Sequence, residues 1–353
     1  MSSINLTARI GLNATQLRER ITVLGEQIST GRRGKTYAAV GSDAPKAMDL
    51  RGEIGRRETY QSTINLTLSK IRVSQDVLDR IGAIAEKFTA NTAKLLGGAK
   101  PEEIQIQAAQ AEAAMAEVAT LLNEQFNGEY LFGGSDSRNP PIPNPQAIAT
   151  SGMGLAIKAE VASLDGSNVT SVTNTTKTLA QSNALGTTPF SVFLSTGAGA
   201  TPDRVSILGN DNDRVEYGIK ANRNAAVQST GETTDSWARD LLRGLASIAG
   251  LTPDKAKLGN DYTTFVTTVR NGLNSAVDAL ALERGSLGVT EARLQNMASH
   301  HESVSTILTL QLSNLEEVDM AKTITSFQTT QTQLEASYRA IAMAQQLSLT
   351  RFL

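Results

Sequence analysis

The chain has 353 residues, a formal net charge of −2 and no cysteine. That length allows two or three domains and a sizeable core, the near-neutral charge gives no basic field for nucleic acid, and the missing thiols exclude disulfides and thiolate chemistry. One Trp, six Tyr and eight Phe make aromatics scarce, so Leu, Ile, Val and Ala carry the apolar faces, as long helices prefer.

In chain order, Ile10, Ala14, Leu17, Ile21, Leu24 and Ile28 step by four and three residues, the seam that holds one helix face against another. Ser29-Thr30-Gly31 ends it with a helix-stopping glycine, and Arg32-Arg33-Gly34-Lys35 forms a short basic turn. Ser42-Asp43-Ala44-Pro45 opens a second helix that holds one heptad frame through Leu50, Ile54, Ile64, Leu68, Ile71, Leu78 and Ala85 to about Leu96. Gly97-Gly98-Ala99-Lys100-Pro101 breaks it, and Ile104, Ala108, Ala111, Met115, Val118 and Leu122 mark a third helix.

The period changes at Asn127-Gly128, a hairpin signal before Glu129-Tyr130-Leu131-Phe132. Prolines 140, 141, 143 and 145 mark a boundary. Residues 146–231 are rich in Ser, Thr, Asn and Gly, with strands expected over 155–161, 190–194, 204–208 and 215–219. Asn210-Asp211-Asn212-Asp213 reads as a hairpin loop; it lacks the glycine and terminal glutamate of a calcium loop. Helices return at Trp237 and again near Asp261. From Val289 onward no proline or glycine interrupts the pattern, and Met320, Ile324, Phe327, Gln331, Leu334, Tyr338, Ile341 and Gln345 form a second terminal seam. Gln331 and Gln345 are the polar seam positions, of the kind that set register and partner number.

The pattern predicts a mainly α fold with a β-rich insert. Paired N- and C-terminal coiled-coil helices form a long antiparallel helical rod, with a small outer β-rich domain between the halves. The insert over 143–200 is expected to lie outside and to be dispensable for assembly, because few core contacts should cross its boundary. The fourteen residues of the two terminal seams are the candidate assembly residues.

No catalytic, cofactor-binding or metal-binding residue is assigned. His300 and His301 are adjacent, so they point about 100° apart on a helix and cannot form an i, i+4 metal pair. Glu316 and Glu317 are expected on a solvated helix surface. Residues 1–30 lack a signal-peptide pattern, and no run of about 18 apolar residues suits a membrane span. By these rules alone the chain is expected to be soluble and cytoplasmic.

Five motifs then carry a family resemblance: Gln27-Ile28-Ser29-Thr30-Gly31-Arg32; Gly41-Ser42-Asp43-Ala44-Pro45; Asn127-Gly128-Glu129-Tyr130-Leu131-Phe132-Gly133-Gly134; Leu315-Glu316-Glu317-Val318-Asp319-Met320-Ala321; and Leu347-Ser348-Leu349-Thr350-Arg351-Phe352-Leu353. In this order the chain resembles the bacterial flagellin superfamily, which includes filament flagellins and the hook–filament junction protein. The resemblance covers 2–142 and 215–353. It implies inner-tube helices over 1–41 and 313–353, rod halves over 42–142 (with the β-hairpin) and 232–312, and an outer β-rich surface domain over 143–231. It also implies a non-enzymatic, exported subunit of the extracellular flagellum that forms a homo-polymer. Its other partners would be hook-associated and cap proteins, and before assembly the export apparatus and an export chaperone. Export without a cleaved signal replaces the cytoplasmic expectation; nucleic acid and membrane insertion are not implied. Between subtypes, the motifs at 43–45 and 127–134 resemble the junction protein, while the reading favoured here is a filament subunit for swimming motility; the alternative outside the family is a non-flagellar secreted coiled-coil protein or adhesin.

Overall fold

The structure, a computed structural model, describes residues 2–197, 204–225, 228 and 230–349, with the side chains of 2–8, 10 and 344–349 outside the description. Helices dominate. They are α1 (Ser2–Thr30), α2 (Ala44–Leu96), α3 (Pro101–Leu122), α4 (Gly152–Ala162), α5 (Val169–Gln181), α6 (Val192–Ser195), α7 (Trp237–Ala249), α8 (Asn260–Glu316) and α9 (Met320–Leu349). Two antiparallel hairpins complete the list: β1 (Gln125–Phe126) with β2 (Glu129–Tyr130), and β3 (Ser206–Asn210) with β4 (Asp213–Glu216). The chain divides into two compact units, one of residues 1–59 and 300–353, the other of residues 60–299.

The larger unit holds the hydrophobic core, which runs from Ile64 to Leu294 and gathers residues of α2, α3, α4, α5, α7 and α8. Along α2 the heptad frame points inward as its spacing requires: Ile64, Leu68, Ile71, Leu78 and Ala85 are buried. Arg72 Nε donates to Glu291 at 2.9 Å and Arg284 pairs with Asp79, so α2 and α8 run antiparallel there. Gly285 and Gly288 do not break α8. Their cost, about 1 kcal/mol each against alanine, is spread over a 57-residue helix held by packing on one face.

At the centre lies α7, buried from Trp237 to Ile248, charged residues included. The Ser236 hydroxyl caps it, accepting from Arg239 N at 3.4 Å. Asp240, pushed up from the ordinary carboxylate range by burial, accepts from the Thr233 hydroxyl and from the Thr234 hydroxyl and backbone N–H, each at 2.7 Å. Arg239 donates to the carbonyls of Ala180, Ser182 and Asn222 and to Asn183 Oδ1, at 2.6–3.1 Å. It therefore closes the carboxyl end of α5, where helix carbonyls lack internal partners. Gly244 lets α8 approach: a Cβ there would stand 2.5 Å from Leu273 Cδ2.

The Asn127-Gly128 turn is as expected, with positive φ at both residues, 52° and 78°, the geometry that matches strand twist. The segment after it differs from expectation. Residues 155–161 are helix α4 and 192–195 are helix α6; among the described residues of this segment strands occur only at 206–210 and 213–216. Ile157 and Val161 step by four and are both fully buried, so helical packing overrides an alternation that reads as a strand. Nor is 143–200 a detached insert. Ile148, Met153, Val172, Ala180, Phe190 and Leu194 belong to the same core as α3 and α7, and Lys158 pairs with Glu112 of α3.

Candidate assembly surface on the terminal helices

In the smaller unit α1 and α9 pair antiparallel. Gly25 lies against Phe327, and Arg18 bonds to the Tyr338 hydroxyl with its guanidinium 5.3 Å over that ring. On α1 the seam residues are the shielded ones: Ala14 is buried and Leu17, Ile21, Leu24 and Ile28 are half-buried. Ile10 lies outside the described side chains, as does Gln345 on α9.

On α9 the shielded face is Thr323, Phe327, Thr330, Leu334, Ser337 and Ile341, while Met320, Ile324, Gln331 and Tyr338 are exposed. Two heptad stripes share Phe327, Leu334 and Ile341; the hydroxyl residues complete the one that meets α1. Each hydroxyl donates to the backbone carbonyl four residues back, Thr323 to Asp319 O (2.8 Å), Thr330 to Ser326 O (2.7 Å) and Ser337 to Gln333 O (2.9 Å), with the two threonines buried and Ser337 half-buried. No acceptor from α1 is then needed, and the small side chains let the helices approach. The other stripe stays exposed, with only Tyr338 reaching across to Arg18 of α1 among the described contacts.

The end of the pair is closed by backbone bonds. Val318 N donates to Gly31 O at 3.0 Å and Arg33 N to Glu316 O at 2.7 Å, while Gly31 adopts φ 71°, a left-handed turn suited to glycine. Glu316, expected on a solvated surface, is buried at 8% exposure. Arg51 of α2 donates to its Oε2 at 2.7 Å and to the Tyr37 hydroxyl at 3.1 Å; the Glu316 bond holds the Arg51 guanidinium above its ordinary value. Sequence reasoning missed this contact because its partners lie in opposite halves of the chain and neither sits on a heptad seam.

Burial in this unit is sparse. Among its described residues the buried apolar side chains are Ala14, Val40, Ala47 and Leu50. Leu12, Val23, Tyr37, Met48, Ile307, Leu310, Met320, Ile324, Tyr338 and Met343 are exposed, from 38% for Tyr338 to 66% for Leu12. Apolar residues scattered singly on a surface need no explanation, but ten against four buried ones leave the unit without a core of its own.

Elsewhere the polar candidates are engaged in the fold. Asp211 accepts from the Tyr60 hydroxyl and Asp213 from Arg293, at 2.8 and 2.6 Å, so the loop that resembles a calcium site spends these carboxylates on α2 and α8. Among the described residues no three His, Asp or Glu side chains gather as a metal site, and no helix is long and apolar enough to cross a membrane.

Comparison with known proteins places both ends of the chain. Residues 1–137 match the bacterial flagellin N-terminal helical region, and residues 271–353 match the bacterial flagellin C-terminal helical region. Over 327 residues the chain is 21% identical to flagellar hook-associated protein 3 of Escherichia coli (strain K12), an alignment that spans 92% of this chain and 90% of that protein.

Proposed function

Since this chain belongs to the bacterial flagellin superfamily and is a structural subunit of the flagellum, we propose that it polymerises with copies of itself into the extracellular filament through α1 and α9. Superfamily members assemble into axial structures of the flagellum. The observation that carries the reading for this chain is the smaller unit, with ten large apolar side chains exposed and four apolar residues buried among its described residues. Burying exposed apolar surface stabilises by about 25 cal/mol per Å², so packing of like units supplies the core this one lacks.

In this reading the α1 seam and Phe327, Leu334 and Ile341 close the pair within a subunit. Met320, Ile324 and Gln331 face neighbouring subunits, with Tyr338 at their edge, held by Arg18 of α1. Ile10 and Gln345 continue the two seams. The subunit adds to other axial proteins of the flagellum and reaches the outside through the flagellar export apparatus with a chaperone, without a cleaved signal. A chain with no cysteine and few bulky aromatics suits passage in an unfolded state. No catalytic role is assigned.

A second reading, a hook-associated junction protein, is favoured by one observation: the Escherichia coli relative aligns over nearly the whole of both chains. Electron microscopy of sheared surface appendages, with mass spectrometry of their bands, separates the two. A filament subunit is the dominant band. A junction protein contributes a few copies per appendage, and absence from the appendages overturns both.

A further inference from the structure

Among the described methionines, exposure divides along the two units. Met115 and Met153 are buried in the core of the larger unit, and Met297 packs against that core. Met48, Met320 and Met343 all belong to the smaller unit and are 55%, 39% and 59% exposed. The chain has no cysteine, and its one tryptophan, Trp237, is fully buried. A dilute peroxide therefore meets these three thioethers before any other sulfur or an indole.

The three differ in where they sit. Met320 is the first residue of α9 and of its exposed stripe, one turn before Ile324. The backbone beneath it is fixed: Asp319 Oδ1 accepts from Lys322 N at 3.1 Å, and Val318 N donates to Gly31 O at 3.0 Å. Met343 is turned about 140° from Met320 at 100° per residue, off that stripe, and Met48 lies on α2. When hydrogen peroxide oxidises a thioether by two electrons, its O–O bond breaks. One oxygen joins the sulfur as a sulfoxide and the other leaves as water. The product is a strong acceptor where an apolar group stood. On a free subunit water satisfies it. Buried in a contact along the stripe it meets Ile324, whose side chain has no donor to give, and an unpaired acceptor there is unfavourable. We propose that Met320 is a peroxide-sensitive modification site whose sulfoxide blocks addition of the subunit to a second copy of the chain, while the larger unit stays folded. The proposal rests on the assembly reading above.

The test treats the unpolymerised full chain with hydrogen peroxide and reads oxidation at each methionine by peptide mass spectrometry. The critical concentration for polymerisation is then measured by sedimentation, with the thermal melt of the unpolymerised protein recorded alongside. For each chain the readout is the ratio of treated to untreated critical concentration. Wild type oxidised at Met320 is expected to give a ratio of about ten or more, the scale of burying one unpaired polar group. Its melt should be intact, because Met115 and Met153 stay reduced in the core. Reduction of the treated protein by methionine sulfoxide reductases specific for the two epimers, with dithiothreitol as reductant, should return the ratio to about one. Met320→Leu should hold its own ratio near one although Met48 and Met343 still oxidise, whereas Met48→Leu and Met343→Leu should keep the wild-type ratio. A ratio near one in wild type oxidised at Met320, a high ratio in treated Met320→Leu, or a block that comes with a lowered melt overturns the proposal and leaves the assembly reading standing. Failure of untreated wild type to polymerise overturns both.

Discussion

The α7 region and the terminal helix pair dispose of their polar and apolar groups in opposite ways. Around α7 the structure is closed within the chain. Trp237, Leu241, Leu242 and Leu245 are fully buried, Arg239 meets four acceptors, and Asp240 meets three donors. Around α1 and α9 the buried positions include threonines that satisfy themselves, while methionine, isoleucine and tyrosine face outward and Glu316 keeps an empty oxygen. One region shows how a chain finishes its own core. The other leaves much of its apolar surface open, and the proposed assembly is what would cover it.

The harshest way to break the comparison is to remove part of the closed region. Deleting 143–200 and bridging the gap with a Gly/Ser linker strips α4, α5 and α6 from α7 and leaves the Arg239 guanidinium without the Ala180, Ser182 and Asn183 acceptors. The deleted chain is expected to lose its cooperative thermal transition. A sharp transition near that of wild type, with filaments still forming, would restore the sequence-based expectation that this segment is an outer appendage. Removing the open region should do the reverse. A fragment of 42–315 keeps every residue of the Ile64–Leu294 core and is expected to melt cooperatively and remain monomeric by light scattering where the full chain polymerises. Filaments from that fragment would show that α1 and α9 are not the assembly element.

Legibility in the sequence followed the same division, for physical reasons. The long helices α2 and α3 declared themselves because a heptad frame sustained over many turns has no other folded meaning, and most of the frame is buried, although Ile54 and Ala108 are only half-buried and packing also buries Val77, Ile81, Phe88, Ala114 and Leu121 off the frame. The short helices did not: in α5 Ser, Thr and Asn favour turns and caps over helix interiors, and in α4 the spacing of Leu155, Ile157 and Val161 reads equally as a strand alternation. What makes residues 169–181 helical is packing on α7, with Arg243 donating to Thr173 O and Thr176 Oγ1 at 3.0 and 3.2 Å. On α9 the period was legible but the face was not. Two stripes share Phe327, Leu334 and Ile341, and hydrophobicity alone chooses Met320, Ile324 and Tyr338 over Thr323, Thr330 and Ser337. The structure turns the hydroxyl stripe toward α1 because hydroxyls bonded to their own helix can be buried cheaply.

Single substitutions sharpen the comparison further. Arg239→Ala leaves three carbonyls and one amide oxygen without their donor in a buried site, and by analogy with breaking a buried pair it should cost about 3–5 kcal/mol, read as a lowered midpoint in urea. A loss under about 1 kcal/mol, the range of an ordinary hydrogen bond, would mean water replaces the guanidinium there. Gly244→Ala forces Leu273 aside and, as overpacking, is expected to cost about 1–3 kcal/mol; an unchanged midpoint would show that α7 and α8 can separate freely. Neither change should move the critical concentration for assembly beyond what the lost monomer stability accounts for, because both act inside the closed region.

The smallest expected effect concerns pH and reads the closed region alone. Burial raises Asp240 above its unfolded value, outweighing the Thr233 and Thr234 hydrogen bonds that pull it down. Between the unfolded and folded pKa values the native state binds more protons than the unfolded chain, so stability falls as pH rises. The contribution of this group is fully present below the unfolded carboxylate value and is lost as pH rises through the folded one. That is opposite in sign to a carboxylate held low by a salt bridge. Asp240→Asn removes the titration while keeping an acceptor for the Thr234 N–H. Urea midpoints of wild type and Asp240→Asn, measured from about pH 4 to 7, the window above an ordinary carboxylate, should therefore diverge, with wild type losing ground to the variant as pH increases. A constant difference across that range would mean that Asp240 is ionised throughout and that its three hydrogen bonds, rather than burial, decide its charge.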